Sequence, residues 1–141
     1  MAHYLLRRTG LSLLLLLTLL LAACSGPDEM VGKWRIEAVY PDESKGPAPQ
    51  MVKDLLGYLR GAEYVLRADG TFHKKGSFED ISGKWTREGD LYTLTKANET
   101  GDKELWEVRK REKAGYEVVL KSQSPDYPDM LMRIKRIGEA E

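Results

Sequence analysis

From Val31 onward, apolar and polar residues alternate at period two, and short clusters of Gly, Asp, Pro and Ser break the alternation at close intervals. That pattern gives each segment one apolar and one polar face as a β-strand. The first segment, 33–40, puts Trp34, Ile36, Ala38 and Tyr40 on one face and Lys33, Arg35 and Glu37 on the other. Pro41 ends it, and 42–49 is a loop rich in Pro, Gly and Ser. Residues 49–60 are the exception. Met51, Val52, Leu55, Leu56 and Leu59 recur on one helical face, with Lys53, Asp54 and Arg60 elsewhere, so a short amphipathic helix is predicted. Gly61 is its expected stop. Gly57 weakens it by about 1 kcal/mol relative to alanine, making it dependent on packing.

After Gly61 every segment reads as strand. Residues 63–68 and 71–78 flank Asp69-Gly70, a two-residue hairpin signal because both positions tolerate positive φ. Segments 82–87 and 91–96 form the next pair, 103–111 and 116–121 the one after, and 130–137 the last strand. No long crossover helix intervenes, so neighbours pair antiparallel. A meander of eight strands has two edges, and closure removes both. The expected fold is all-β: an eight-stranded antiparallel up-and-down barrel over 31–138 with one short helix after the first strand. Trp34, Leu66, Phe72, Phe78, Trp85, Trp106, Val118, Leu120, Met132 and Ile134 would supply its interior. An eight-stranded barrel can be filled by side chains or hold one small ligand, and the alternation does not choose between them.

The first 23 of the 141 residues differ in kind: they hold Arg7 and Arg8, no acid, and nine leucines between Leu11 and Leu21. As a helix, residues 11–23 span roughly 20 Å, short of the ~30 Å hydrocarbon core. The segment reads as an export signal. The whole chain carries 22 basic and 22 acidic residues, which leaves 20 and 22 after the signal. That balance argues against nucleic acid as a partner. A lone cysteine and two histidines exclude an internal disulfide and most zinc sites.

Leu21-Ala22-Ala23-Cys24 resembles the lipobox of bacterial lipoproteins. The resemblance implies cleavage before Cys24, a diacylglycerol on its thiol and often an acylated new amino terminus. Residues 24–30 then become a lipidated tether, held to the cell membrane or outer membrane on its extracytoplasmic side. Two or three acyl chains give stable attachment where one is marginal. Ser25, where an aspartate tends to retain such proteins at the inner membrane, leans towards the outer one.

Gly32-Lys33-Trp34 opens the first strand, and Arg133, Lys135 and Arg136 lie on the last, which a closed barrel places beside the first. An arginine there can stack on Trp34 by cation–π attraction, worth ~0.5–2 kcal/mol. G-x-W on strand one, a following helix, a run of hairpins and a closing basic strand together resemble the compact lipocalin-like domains of bacterial lipoproteins. The resemblance implies an up-and-down barrel that binds small apolar molecules, although this chain is shorter than the larger lipocalins. Gly83-Lys84-Trp85 repeats the tripeptide mid-chain, a recurrence read as coincidence.

Catalytic signals are weak. His73 faces away from Phe72 with no evident partner, and no nucleophile elbow, phosphate-cradling loop or His-Glu-x-x-His pattern occurs. The expectation is a protein that is not an enzyme and carries no cofactor or metal. Met130 and Met132 read as core filler rather than copper ligands, and Asn98, Glu99, Asp102 and Glu104 read as a solvated turn without calcium-loop spacing. Arg109, Lys110, Arg111 and Lys113 read as a charged hairpin diluted by glutamates. Two functional expectations follow. In the first, a small apolar ligand sits inside the barrel against Leu66, Phe72, Phe78, Trp85 and Trp106, with helix 49–60 as a lid. In the second, the barrel is solid, and loops 42–49 and 122–128, the latter with Tyr127, meet an envelope protein.

Overall fold

A computed structural model describes residues 27–141; the expected signal segment 1–23 and Cys24 lie outside the described residues. Eight strands run in chain order: β1 (Gly32–Pro41), β2 (Glu63–Leu66), β3 (Thr71–Lys75), β4 (Asp80–Glu88), β5 (Leu91–Lys96), β6 (Lys103–Glu112), β7 (Gly115–Leu120) and β8 (Met130–Gly138). Each pairs antiparallel with its neighbour, and β8 returns to β1 to close the barrel. A 3-10 turn (Glu43–Lys45) and a single helix, α1 (Gln50–Leu59), fill the β1–β2 connection. The expected fold class is the observed one.

Turn chemistry sets the hairpins. At the β2–β3 turn Gly70 takes φ +81°, and Asp69 accepts hydrogen bonds from the Thr71 amide and hydroxyl at 2.9 and 2.7 Å. An Asx-type cap of this sort fixes a tight reversal. Helix α1 lacks a side-chain cap and ends at Arg60, after which Gly61 at φ +84° turns the chain so that its N–H reaches the Ile36 carbonyl.

Inward positions build one core. Trp34, Ile36, Tyr64, Leu66, Phe72, Tyr92, Leu94, Trp106, Val108, Val118, Met132 and Ile134 are all buried in it, and Trp85 and Leu120 pack against it partly buried. Two expectations are corrected. Ala38 and Tyr40 do not continue the face of Trp34 and Ile36, because a bulge between Ile36 and Ala38 adds a residue to β1. The phase flips, Val39 packs on the core opposite Met132, and Tyr40 turns outward. Phe78 is not interior: β3 stops at Lys75, and Phe78 stands in the following turn, 80% exposed.

The barrel has two different ends. The chain enters at the lower end, where β1 starts, with the β2–β3, β4–β5 and β6–β7 turns. Met30 is fully buried there, its carbonyl accepting from Trp34 Nε1 at 2.9 Å. Asp28 accepts from Tyr92 Oη at 2.8 Å and Arg87 Nη1 at 2.9 Å, while Glu29 takes a two-pronged contact from Arg111 at 2.7–3.0 Å. The upper end carries α1 and the β3–β4, β5–β6 and β7–β8 connections. Core, helix and both end closures all lie within residues 28–138, so this segment holds what an independently folding domain needs.

Candidate functional site

The functional candidate is built at the upper end, from the last inward-facing residue of several strands. Lys74 follows Phe72 on the inner face of β3, Lys96 follows Leu94 on β5, and Glu104 precedes Trp106 on β6. Strand periodicity alone aims all three side chains at the barrel axis. They meet in a charged layer above the aromatic core. Lys74 Nζ lies 2.8 Å from Glu104 Oε1 and 2.6 Å from Glu79 Oε2; Lys96 Nζ lies 2.6 Å from Glu79 Oε1 and 3.7 Å from Glu104. Glu104 also accepts from Tyr64 Oη at 2.9 Å and Trp106 Nε1 at 3.2 Å.

The layer is neutral as a whole, two ammoniums against two carboxylates. Lys74 is 6% exposed at its side chain and Glu104 13%. Burial alone pushes Lys74 down, but Glu104 and Glu79 beside it hold it above its ordinary value. Burial likewise tends to raise Glu79, and its hydrogen bonds from Lys74 and Lys96 bring it below the usual carboxylate range. Tyr64 is held well above its ordinary value by burial and by the Glu104 carboxylate. A lysine kept charged in this way orients and neutralises the carboxylates beside it.

Above this layer, α1 crosses the mouth. Val52 and Leu56 are buried, whereas Met51, Leu55 and Tyr58 stay about half exposed. Met51, Val52, Leu55, Tyr58 and Leu59 form one wall of a groove of about 540 Å³. Phe78, Leu120, Met130, Tyr127 and Pro128 supply further apolar lining, Lys103 and Lys121 border it, and Glu104 reaches in from the charged layer. Phe78 meets Tyr58 edge-on at 4.7 Å between ring centroids. This volume and an apolar lining with few polar groups are those of a small-molecule pocket. Loops 42–49 and 122–129 meet nearby in a more polar cleft of about 590 Å³, lined by Pro47, Pro49, Pro125 and Tyr127 among others.

The expected ligand-lining residues divide. Leu66, Phe72 and Trp106 are fully buried and fill the core, and Trp85 packs at its side with Nε1 donating to the Arg67 carbonyl. None of these four lines the groove, and only Phe78 does. Its exposure follows from β3 being three residues shorter than predicted. Glu104, expected in a solvated turn, is instead the hub of the buried layer. Lys74 and Lys96 do not stand out in the sequence, because a charged residue in an alternating strand reads as outward. The available signal was their parity, two residues on from Phe72 and from Leu94.

His73 does find partners: Nε2 lies 3.0 Å from Asp80 Oδ1 and Nδ1 lies 3.0 Å from Ser82 Oγ. The connectivity is that of a nucleophilic triad, but the three side chains stand on the open outer face of β3 and β4. The backbone around Ser82 is engaged on both sides, by β3 and by the Ala97 amide. Without a water-excluding wall and aimed donors, such a trio gains little over a serine in water. Among the described residues no cluster of three or more His, Cys, Asp or Glu is arranged to hold a metal ion. Met132 is buried in the core, while Met130 lies on the groove. Against known proteins, the chain finds no matching family model, curated relative or solved structure.

Proposed function

We propose that this chain is an extracytoplasmic lipoprotein, held at a membrane by lipid on Cys24, whose barrel carries a binding groove for a small apolar ligand. The observation that carries the binding role is the groove of about 540 Å³ between α1 and the upper rim. The ligand site is thus moved from the barrel interior, which side chains fill, to the mouth beneath the helix. The lipidated tether rests on Leu21-Ala22-Ala23-Cys24 following the leucine-rich segment. Similarity to lipocalin-like domains rests on the eight-stranded barrel with G-x-W on β1.

The barrel's two ends suit these two roles. Asp28 and Glu29 are clamped at the lower end, only four residues from Cys24. Four extended residues span at most ~14 Å, so the lower end stays close to the lipid and the groove faces away from it.

Native mass spectrometry of the domain purified from its envelope tests the binding role: a co-purifying small apolar molecule, lost on filling the groove by Leu55→Trp, is expected. A domain that carries none and leaves a neutral naphthylamine dye unbound overturns it. Fractionation tests the anchor. The full chain is expected in the membrane and Cys24→Ser in the soluble fraction; an unchanged distribution overturns lipidation.

A second reading has its own observation. Loops 42–49 and 122–129 converge on the polar cleft, which suits a proline-rich or polar segment of an envelope protein. Crosslinking from Tyr127 tests it.

A further inference from the structure

The two acids of the charged layer are not equivalent. Glu104 stands on β6 and is held from four directions: Tyr64, Trp106, Lys74 and Lys96. Glu79 comes instead from the four-residue β3–β4 turn, closed by the Gly76 amide on the Glu79 carbonyl at 2.7 Å. Its carboxylate bonds to Lys74 and Lys96 and to no other described group, and its side chain remains one-third exposed. The cations stand on strands β3 and β5, and this anion stands on a turn.

The place it occupies adjoins the groove. Phe78, next to Glu79 in the chain, lines the groove, and so does Glu104, which shares both lysines with Glu79. Moving the turn outward would carry Phe78 off Tyr58, widening the groove, and carry Glu79 away from the lysines. Two ammoniums would then face the single carboxylate of Glu104, a net charge of +1 in the layer behind Glu104, added to Lys103 and Lys121, which line the groove itself. Such a site complements a ligand with one negative head group and one apolar chain.

We propose that Glu79 is an internal stand-in for a ligand carboxylate: an amphiphilic carboxylate lays its chain in the groove and its head between Lys74 and Lys96, displacing Glu79. This inference rests on the groove reading above and names the class of ligand. Glu79 acts as an intramolecular competitor, and the affinity is reduced by the fraction of molecules in which it still holds the lysines. A neutral ligand of equal length receives only the apolar part.

The test compares decanoate with 1-decanol at pH 7.5 on the 27–141 domain, by displacement of a neutral naphthylamine dye, in the native sequence, in Glu79→Gln and in Glu79→Ala. Removing the competitor is expected to tighten decanoate by about ten-fold or more and to leave decanol unchanged. Adding Lys96→Gln to Glu79→Gln restores a neutral layer and is expected to abolish that gain, returning decanoate to its native affinity. Two Glu79 variants are used so that either one, if folded by circular dichroism, gives the answer. Decanol binding with no gain for decanoate in either variant overturns the stand-in role and leaves the groove reading intact. Neither probe bound by any form overturns both.

Discussion

Arg136 holds its guanidinium 4.8 Å over the indole of Trp34 and, from the same group, donates to the Val31 and Glu29 carbonyls at 2.9 and 2.7 Å. One side chain therefore ties β8 to β1 and to the segment that leads towards Cys24. Gly32 makes room for it. A Cβ there would lie 2.4 Å from Arg136 Nη1, and its φ of +150° already disfavours any other residue. The G-x-W motif is thus read in three dimensions as a seat for an arginine, a tryptophan beneath it and a glycine beside it. Gly83 of the second G-K-W does something else: it leaves room for the Thr95 carbonyl and the Phe72 ring, both of which a Cβ would strike.

Gly32→Ala is accordingly expected to lower unfolding free energy by about 2–4 kcal/mol, through strain at φ and displacement of Arg136. Arg136→Lys should cost about 1–2 kcal/mol, because an ammonium neither stacks as well nor bridges two carbonyls in a planar fork. Urea denaturation of the domain measures both.

The clamp at the lower end makes stability acid-sensitive. Burial would raise the Asp28 carboxyl, but hydrogen bonds from the Met30 amide, Tyr92 and Arg87 hold it below its ordinary 3.8. Glu29 is held below 4.5 chiefly by its hydrogen bonds from Arg111. Near those values the unfolded chain binds more protons than the folded one, so stability rises with pH there. The contribution is fully present above about pH 5 and is lost as the pH falls through the lowered folded values. The urea midpoint should be flat from pH 7 to 5 and drop below 4.5. In Asp28→Asn it should be lower at pH 7 and fall less steeply.

Within the charged layer, Glu104→Gln leaves two ammoniums, that of Lys74 buried, with the one carboxylate of Glu79. A loss of about 3 kcal/mol is expected, at the low end for breaking a buried pair because Glu79 remains. Replacing Lys74 and Glu104 together by Met and Leu should recover much of it, since the charges then no longer need one another. A double-mutant cycle in chemical denaturation separates the coupling from the packing.

In the groove, Leu55→Lys is expected to weaken binding of a neutral naphthylamine dye by about five-fold or more by placing a charge on an apolar wall. Leu55 is 52% exposed, so unfolding free energy should move by less than about 0.5 kcal/mol. Fluorescence titration and thermal melting read the two effects separately.

What the sequence determined by itself was the alternation of side chains, and with it the strand count, the antiparallel order, the helix position and most of the core. Those follow from period-two geometry and from turn residues such as Asp69-Gly70, which act locally. Arg136 over Trp34 was legible too, since closure alone brings the first and last strands together. Tertiary structure decided the rest, at places where one residue changes the phase or the exit of a strand. The bulge in β1 sent Tyr40 outward and Val39 inward. The early end of β3 moved Phe78 from the interior to the groove. Lys74, Lys96 and Glu104 face inward because they share parity with Phe72, Leu94 and Trp106, yet only their pairing with one another, with Glu79 of the β3–β4 turn and with Tyr64 of β2 makes that burial tolerable. Their pairing is a matter of register between strands, which no single strand encodes.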